Sequence, residues 1–426
     1  MKRMHLLILC TSIFFFNSCL KDSSTYSYKV YRPIVKPLAE VRKTIKQVTA
    51  IPVSSSGKIL LYNQYILLSS PGKGVHIINN SNPQKPVNEL FISIPGCIDI
   101  ALTNDILYAD CYSDLLAINI KDFNNVKIEK IIPNLFPDRR MVNGFVVDTS
   151  MAIVDWEIKD TTISNSNSNG YWMEDRFIGI QAPGNFFMSA AAGGRQTVAI
   201  AGSMARFAIQ NQHLYTVSTN TLSSLNIRQA AMPKLLQQQN IGWDIETIYP
   251  FKDKLFIGSQ TGMFIYDVTT PGKPTYVSGF SHARVCDPVI ADDSLAYVTL
   301  RSGSNETNNN NGLISLICTG NNLNELNVVD IKNIQQPKLA KTYQLRQPHG
   351  LSKDGNILFI CDGDDGVKLF NAANPYDLQL LQTIPIKNSF DVICYNGVAV
   401  IVASSGIYQY AYSATGEISF LSRVAY

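Results

Sequence analysis

Charged side chains recur at one place in this 426-residue chain. Asp99, Glu246, Asp287, His349 and Asp391 each stand near the start of an apolar, strand-like run, and Arg206 falls at the corresponding place in another unit. Such groups, brought to one mouth, would hold a cation, a sugar or a peptide end. The plainer reading is that an aspartate at a strand start satisfies backbone groups in a turn. The elements that position these residues decide between the two.

Three more acids, Asp362, Asp364 and Asp365, lie in 358-LFICDGDDGVKLF-370. An EF-hand-like loop needs a further ligand, such as glutamate, about six residues beyond its glycine, and that place holds Ala372. The loop therefore reads first as a hairpin turn whose glycines allow positive φ, and only second as a weak surface cation site. His76, His213, His282 and His349 are joined by no G-x-S-x-G elbow, no H-E-x-x-H helix and no phosphate-cradling loop. His76 and His213 sit in strand patterns and read as structural. Neither catalytic residues nor a cofactor are assigned.

The cysteines show no C-x-x-C or Cys/His spacing suited to zinc. Cys97 and Cys111 are symmetric about Asn104, so a hairpin centred there sets them opposite, as a disulfide or as two buried thiols. Cys286 and Cys318 form a second candidate pair. Tyr171 and Trp172, in 169-NGYWMEDRF-177, offer aromatic faces to a sugar or peptide, or else cover the rim of the fold.

The elements that would position these residues repeat. Buried-strand runs such as 255-LFIGS-259, 295-LAYVT-299 and 399-AVIVA-403 are followed by a short turn and a second run, as in 262-GMFIYD-267 and 366-GVKLFN-371. A proline turn often follows, such as 270-TPGKP-274, and then a third apolar run. The second runs begin at 74, 114, 221, 262, 325, 366 and 406, and most are 40 or 41 residues apart. The longer 262-to-325 interval contains the Asn-rich tract 305-NETNNNN-311, and the 114-to-221 interval leaves room for an irregular unit on 144-GFVVDTSMAIVDWEIKD-160. About forty residues with four short strands is the size of a propeller blade, whose two faces are hidden only by neighbouring blades. The expectation is an all-β β-propeller of about eight four-stranded blades, or seven if the irregular region is an excursion. Its first strands would line a central channel and bring the six charged residues to its mouth.

The runs 262-GMFIYDVTTPGKPTYVSGF-280, 325-ELNVVDIKNIQQPKLAKTY-343 and 74-GVHIINNSNPQKPVNELFISIPG-96 resemble the LVIVD repeat, with 366-GVKLFNAANPYDLQLLQ-382 a looser match. The arrangement over roughly residues 55–420 is similar to LVIVD-repeat lipoproteins of Bacteroidetes type. That resemblance implies a propeller and an envelope address, and no settled reaction.

The N-terminus agrees on address. A basic start, Lys2 and Arg3, precedes the apolar run 6-LLILCTSIFFF-16, which is too short to span a bilayer as a helix and suits a signal peptide. Then 16-FNSC-19 resembles a lipobox, although Phe16 and Asn17 depart from the strict pattern. The expected organisation is a signal peptide over 1–18, a lipidated Cys19 with linker over 19–50, and one propeller over 51–426. The whole chain carries a formal net charge of +3, with no basic stripe suited to nucleic acid. The expected protein is an outer-membrane lipoprotein of the cell envelope, on its periplasmic or surface face, touching the membrane through its lipid alone. Its expected role is non-enzymatic, as a binding or scaffold module for a protein, peptide or glycan. The alternative is a lyase or hydrolase in the channel mouth, assisted by a metal.

Overall fold

A computed structural model describes residues 24–165, 198–281, 288–302 and 323–426. Among them the forty-residue unit becomes seven antiparallel sheets, each containing four successive strands. Numbered along the chain, blades 1 to 7 cover residues 59–93, 100–132, 207–240, 245–281, 289–344, 351–384 and 389–425. From blade 1 through to blade 7 the first strand of each blade contacts the first strand of the next, so these strands form the inner ring.

Apolar residues on both faces of each sheet meet those of the neighbouring blades. Ring closure is the clearest case: Ile59, Leu61 and Leu68 of blade 1 pack with Ile393, Val400 and Val402 of blade 7. Asn80 and Gln409 clasp the same junction by exchanging side-chain hydrogen bonds of 2.9 and 2.7 Å. The proline turns serve the same purpose. Ser422 donates to the Pro83 carbonyl, Tyr215 to that of Pro271 and Tyr343 to that of Pro375, each across to another blade.

Two repeat positions have a local physical cause. Gly74, Gly262, Gly366 and Gly406 begin the third strand of their blades or stand directly before it, with φ of 144°, 154°, 88° and 148°. A Cβ there would run into a carbonyl oxygen of the outer strand, that of Ile92, Phe280, Ile384 or Val424. The Asp or Asn that ends the third strand is also structural. Asn79, Asn119, Asn226, Asp267, Asp330 and Asn371 each accept the N–H two residues on, an Asx turn that starts the loop to the outer strand, a loop that carries proline in every case but that of Asn119. The acid that gives the repeat its look is thus a turn former.

The expected eighth blade is absent among the described residues. The irregular region instead holds a short 3-10 helix, Pro137–Arg140, a hairpin of Met141–Val142 with Phe145–Val146, and the long strand Met151–Asn165. Blade strands keep their inner residues buried, whereas this strand becomes mostly exposed over residues 155–160 and leaves Ile158 in solvent. Such a strand lacks the two apolar faces a blade requires. It pairs with Ser24–Pro37 in a two-stranded ribbon, where Tyr31 meets Trp156 edge-on. Farther along, the helix Leu38–Lys43 leads into Lys46–Thr49, which adds a strand to the outer edge of blade 1. Among the described residues no helix is long and apolar enough to cross a membrane.

Candidate functional site

The centre of the ring is occupied by the chain itself. Val198 bridges Thr103 at the far end of the inner strand Ile100–Thr103. Ile200 and Ala201 then pair with Leu61 and Leu60 of blade 1. Farther on, the Ser203 hydroxyl accepts the Leu351 N–H of blade 6, and the carbonyl of Ala205 accepts the Ile248 N–H of blade 4. The stretch 198–206 therefore bonds to blades on several sides of the ring, and residues 200–206 are all buried. The expected central channel is filled by a segment running from the far ends of the inner strands to their starts.

Four charges meet where that segment emerges. Lys58, Asp99, Arg206 and Asp391 precede equivalent inner-strand residues on blades 1, 2, 3 and 7, as the pairings Ile59 with Leu68, Ile100 with Ala109, Phe207 with Thr216 and Val392 with Ile401 establish. Blade 7 adjoins blade 1, so the charges alternate in sign around this half of the ring. None of the four side chains reaches solvent appreciably; Asp99 is 1% exposed and Asp391 0%. The Lys58 ammonium donates to the Met204 carbonyl at 2.6 Å and lies 3.2 Å from Asp99. Arg139, delivered by the 3-10 helix, lies 3.3 Å from Asp99 and also pairs with Asp110.

The electrostatics follow from this burial. Burial lowers the Lys58 pKa to about 7, with Asp99 opposing and Arg206 reinforcing the shift. Burial also works against ionised Asp99, but Lys58, Arg139 and Arg206 outweigh it and hold this carboxyl below its usual range. Asp391 goes the other way. Burial raises its pKa well above the usual carboxylate value, against the pull of Lys58. Its oxygens accept no hydrogen bond from a side chain of the described residues, and one lies against Gly350, where a Cβ would not fit. Lys58, Asp99 and Arg139 are therefore a structural lock, in which each charge is held by its neighbours.

The other expected ring members fall elsewhere. Glu246 and His349, on blades 4 and 6, stand one residue earlier in register than the alternating four. Between them, electrostatically, is Arg301 at the end of a blade 5 strand: burial lowers its pKa and Glu246 raises it. Burial, then Arg301, lowers the His349 pKa well below the ordinary value and keeps the imidazole neutral. Glu246 accepts a 3.1 Å hydrogen bond from Gln260. Asp287 lies outside the described residues, as do Cys19, Cys286, Cys318, Tyr171 and Trp172. The five described members of the expected mouth thus divide into a sealed group with Asp99, Arg206 and Asp391 and a separate pair, Glu246 and His349, each coupled electrostatically to Arg301.

The acidic loop is a turn. Buried Asp362 accepts the N–H groups of Arg346 and Gln347 at 3.0 and 2.7 Å, and Lys368 lies 3.2 Å away. Asp365 lies 3.4 Å from Lys368 and 3.6 Å from Arg346. Gly363 and Gly366 take φ of 54° and 88°. Backbone donors and cations have thus taken the oxygens of Asp362 and Asp365 that a cation would need. Asp364 is the third acid of this turn, and no group of three metal-ligating side chains forms among the described residues.

Cys97 and Cys111 are free, buried thiols, and burial pushes the Cys111 pKa up to about 12. The expected opposition fails by one residue. Asn104 and Asp105 both have positive φ and make a two-residue turn, so Thr103 pairs with Ile106 and the hairpin centre falls between them. His76 and His213 are buried strand residues, as expected; burial lowers the His76 pKa to about 4.

One surface feature escaped the sequence reading. Trp243 is 72% exposed on the loop between the outer strand of blade 3 and the inner strand of blade 4. Its loop is fixed on both sides. The Ile241 and Ile245 N–H groups donate to Asn220 and Thr219 of blade 3, and the Gln260 N–H of blade 4 donates to Asp244. The signal was in 240-NIGWDIE-246, where Gly242 and Asp244 hold positive φ around the tryptophan.

The fold and this site define a seven-bladed β-propeller with a filled axis and a polar, aromatic-bearing mouth. Among solved structures it is similar to a protein from Lactobacillus plantarum, at 12% identity and TM-score 0.50 over 86% of this chain and 96% of that one. It is also similar to the periplasmic gluconolactonase PpgL of Pseudomonas aeruginosa, at 9% and 0.49 over 87% and 96%. BamB of Moraxella catarrhalis gives 9% and 0.46 over 89% and 97%. Likeness at such identity concerns the fold alone. No family model and no curated protein matches the chain.

Proposed function

We propose that the chain is a lipoprotein of the cell envelope, built of LVIVD-type repeats and anchored through Cys19, that holds a protein, peptide or glycan on the mouth face of its propeller. The observation that carries this reading is the filled axis. With 198–206 inside the ring and Lys58, Asp99 and Arg139 paired with one another, a partner at the mouth would meet the turns around it and not the channel. The basic start, short apolar run and Cys19 support the address.

A photo-reactive benzophenone residue at Thr261, on a mouth turn, tests it in intact cells, with Asp253 on a turn at the opposite end of blade 4 as the control. Adducts are expected at Thr261 and not at Asp253, and they are expected to vanish with membrane association in a Cys19→Ala chain. Equal labelling at both positions, or adducts and membrane association unchanged by Cys19→Ala, would contradict the reading.

A further inference from the structure

The mouth of blade 4 carries a more specific chemistry. Trp243 is the most exposed of the large apolar side chains described, yet the backbone around it is tied to both neighbouring blades. The Asn240 side chain accepts the Gly242 N–H at 3.1 Å. Backbone bonds of 2.9 and 3.0 Å tie the loop to blade 3, and one of 3.1 Å ties it to blade 4. An indole held in water by a rigid loop presents a flat apolar face at little ordering cost on binding.

Its neighbours narrow the ligand class. The turn on one side carries Thr219 and Asn220, and the turn on the other carries Gln260 and Thr261. These are hydroxyls and amides, able both to donate and to accept. Gln260 is in addition held on Glu246, which fixes its orientation. An anionic ligand would call for exposed arginine or lysine in these turns, and the four residues are uncharged; the carboxylates beside them, Asp244 and Asp138, which accepts the Thr219 hydroxyl at 2.9 Å, are acceptors that also suit sugar hydroxyls. An apolar plate flanked by neutral donors and acceptors matches a sugar, whose ring has an apolar C–H face and a hydroxyl edge.

We infer that Trp243, with Thr219, Asn220, Gln260 and Thr261, forms a stacking subsite for a neutral glycan. This rests on the binding reading of the mouth and adds the class of ligand. The sugar ring lies on the indole, and its hydroxyls bond to the two turns. No covalent step is involved.

The test is native affinity electrophoresis of the purified mature chain in gels containing, one at a time, cellulose-, mannan-, xylan-, glucan- and dextran-type neutral polysaccharides. At least one is expected to retard the wild type. Trp243→Ala is expected to weaken that retardation roughly tenfold or more, and Trp243→Phe by less, since a smaller aromatic face remains. Because Trp243 is exposed, both variants are expected to keep the wild-type melting temperature, which separates lost binding from lost fold. Retardation unchanged in Trp243→Ala would overturn the subsite, and so would no retardation by any polysaccharide. If Thr261 still yields protein adducts in cells in that last case, only the glycan class fails; if it yields none, the binding reading fails with it.

Discussion

Asp99→Leu is expected to destabilise the propeller by about 3–5 kcal/mol, because it strips a buried anion from two cations at once. Lys58 and Arg139 lie 3.2 and 3.3 Å from Asp99; Lys58 has no solvent to fall back on, whereas Arg139 is partly exposed and keeps Asp110. In a chain of this size that loss corresponds to a fall in melting temperature of about 5 °C. The second half of the result is more diagnostic. Adding Lys58→Met to Asp99→Leu removes the stranded cation and is expected to recover part of the stability, so that the double variant melts above the single one. Thermal melts of the three chains in one buffer measure both effects. If Asp99→Leu melts with the wild type, the charges are not a lock, and the mouth would then be open to a ligand at that place.

Gly74→Ala is expected to cost about 3 kcal/mol or more, whereas Gly72→Ala, two residues away, costs about 1 kcal/mol. Both glycines have positive φ, 77° for Gly72 and 144° for Gly74, so a side chain strains the backbone at either. They differ in what surrounds them. Around Gly72 a Cβ meets nothing within 4 Å, whereas at Gly74 it meets the Ile92 carbonyl and the Ile94 N–H of the outer strand. Opening that contact would push the outer strand away from the third, where Val75 pairs with Ile92. Chemical denaturation of the two variants separates backbone strain from collision. Equal losses at both positions would show that the close approach of the strands is unimportant.

The repeat was legible because its spacing, glycines and proline turns obey local rules that hold wherever the chain runs. Gly262, Gly366 and Gly406 occupy the same place for the same steric reason, and Asp267 and Asp330 form the same turn. The blade number was ambiguous because 144–160 has strand-like residues and a plausible length. Only its exposure, which depends on what it packs against, separates it from a blade.

The site was legible in part. Asp99, Arg206 and Asp391 could be placed together because register carries from blade to blade. Lys58 holds the same place and was overlooked, since a lysine beside 59-ILLY-62 reads as a solvated strand end. Its spacing was the usable clue: Lys58 bonds Ser69 eleven residues on, as Asp99 bonds Asp110 eleven residues on. Arg139 and the axial segment had no such clue. One enters from a 3-10 helix outside the repeat, and the other reaches the ring after a long excursion, so both depend on contacts between distant parts of the chain. What those contacts do is turn an expected ligand channel into packed interior.

The filled axis is the claim on which the rest depends, and amide hydrogen exchange read by mass spectrometry on peptides covering 198–206 tests it most directly. The Ala199 N–H donates to Leu102, and Ile200 and Ala201 pair with blade 1, so these amides are expected to exchange as slowly as those of the inner strand Ile59–Tyr62. Exchange as fast as in the exposed turn at Gly355 would contradict the account, returning the centre of the ring to solvent and the charges around it to a ligand.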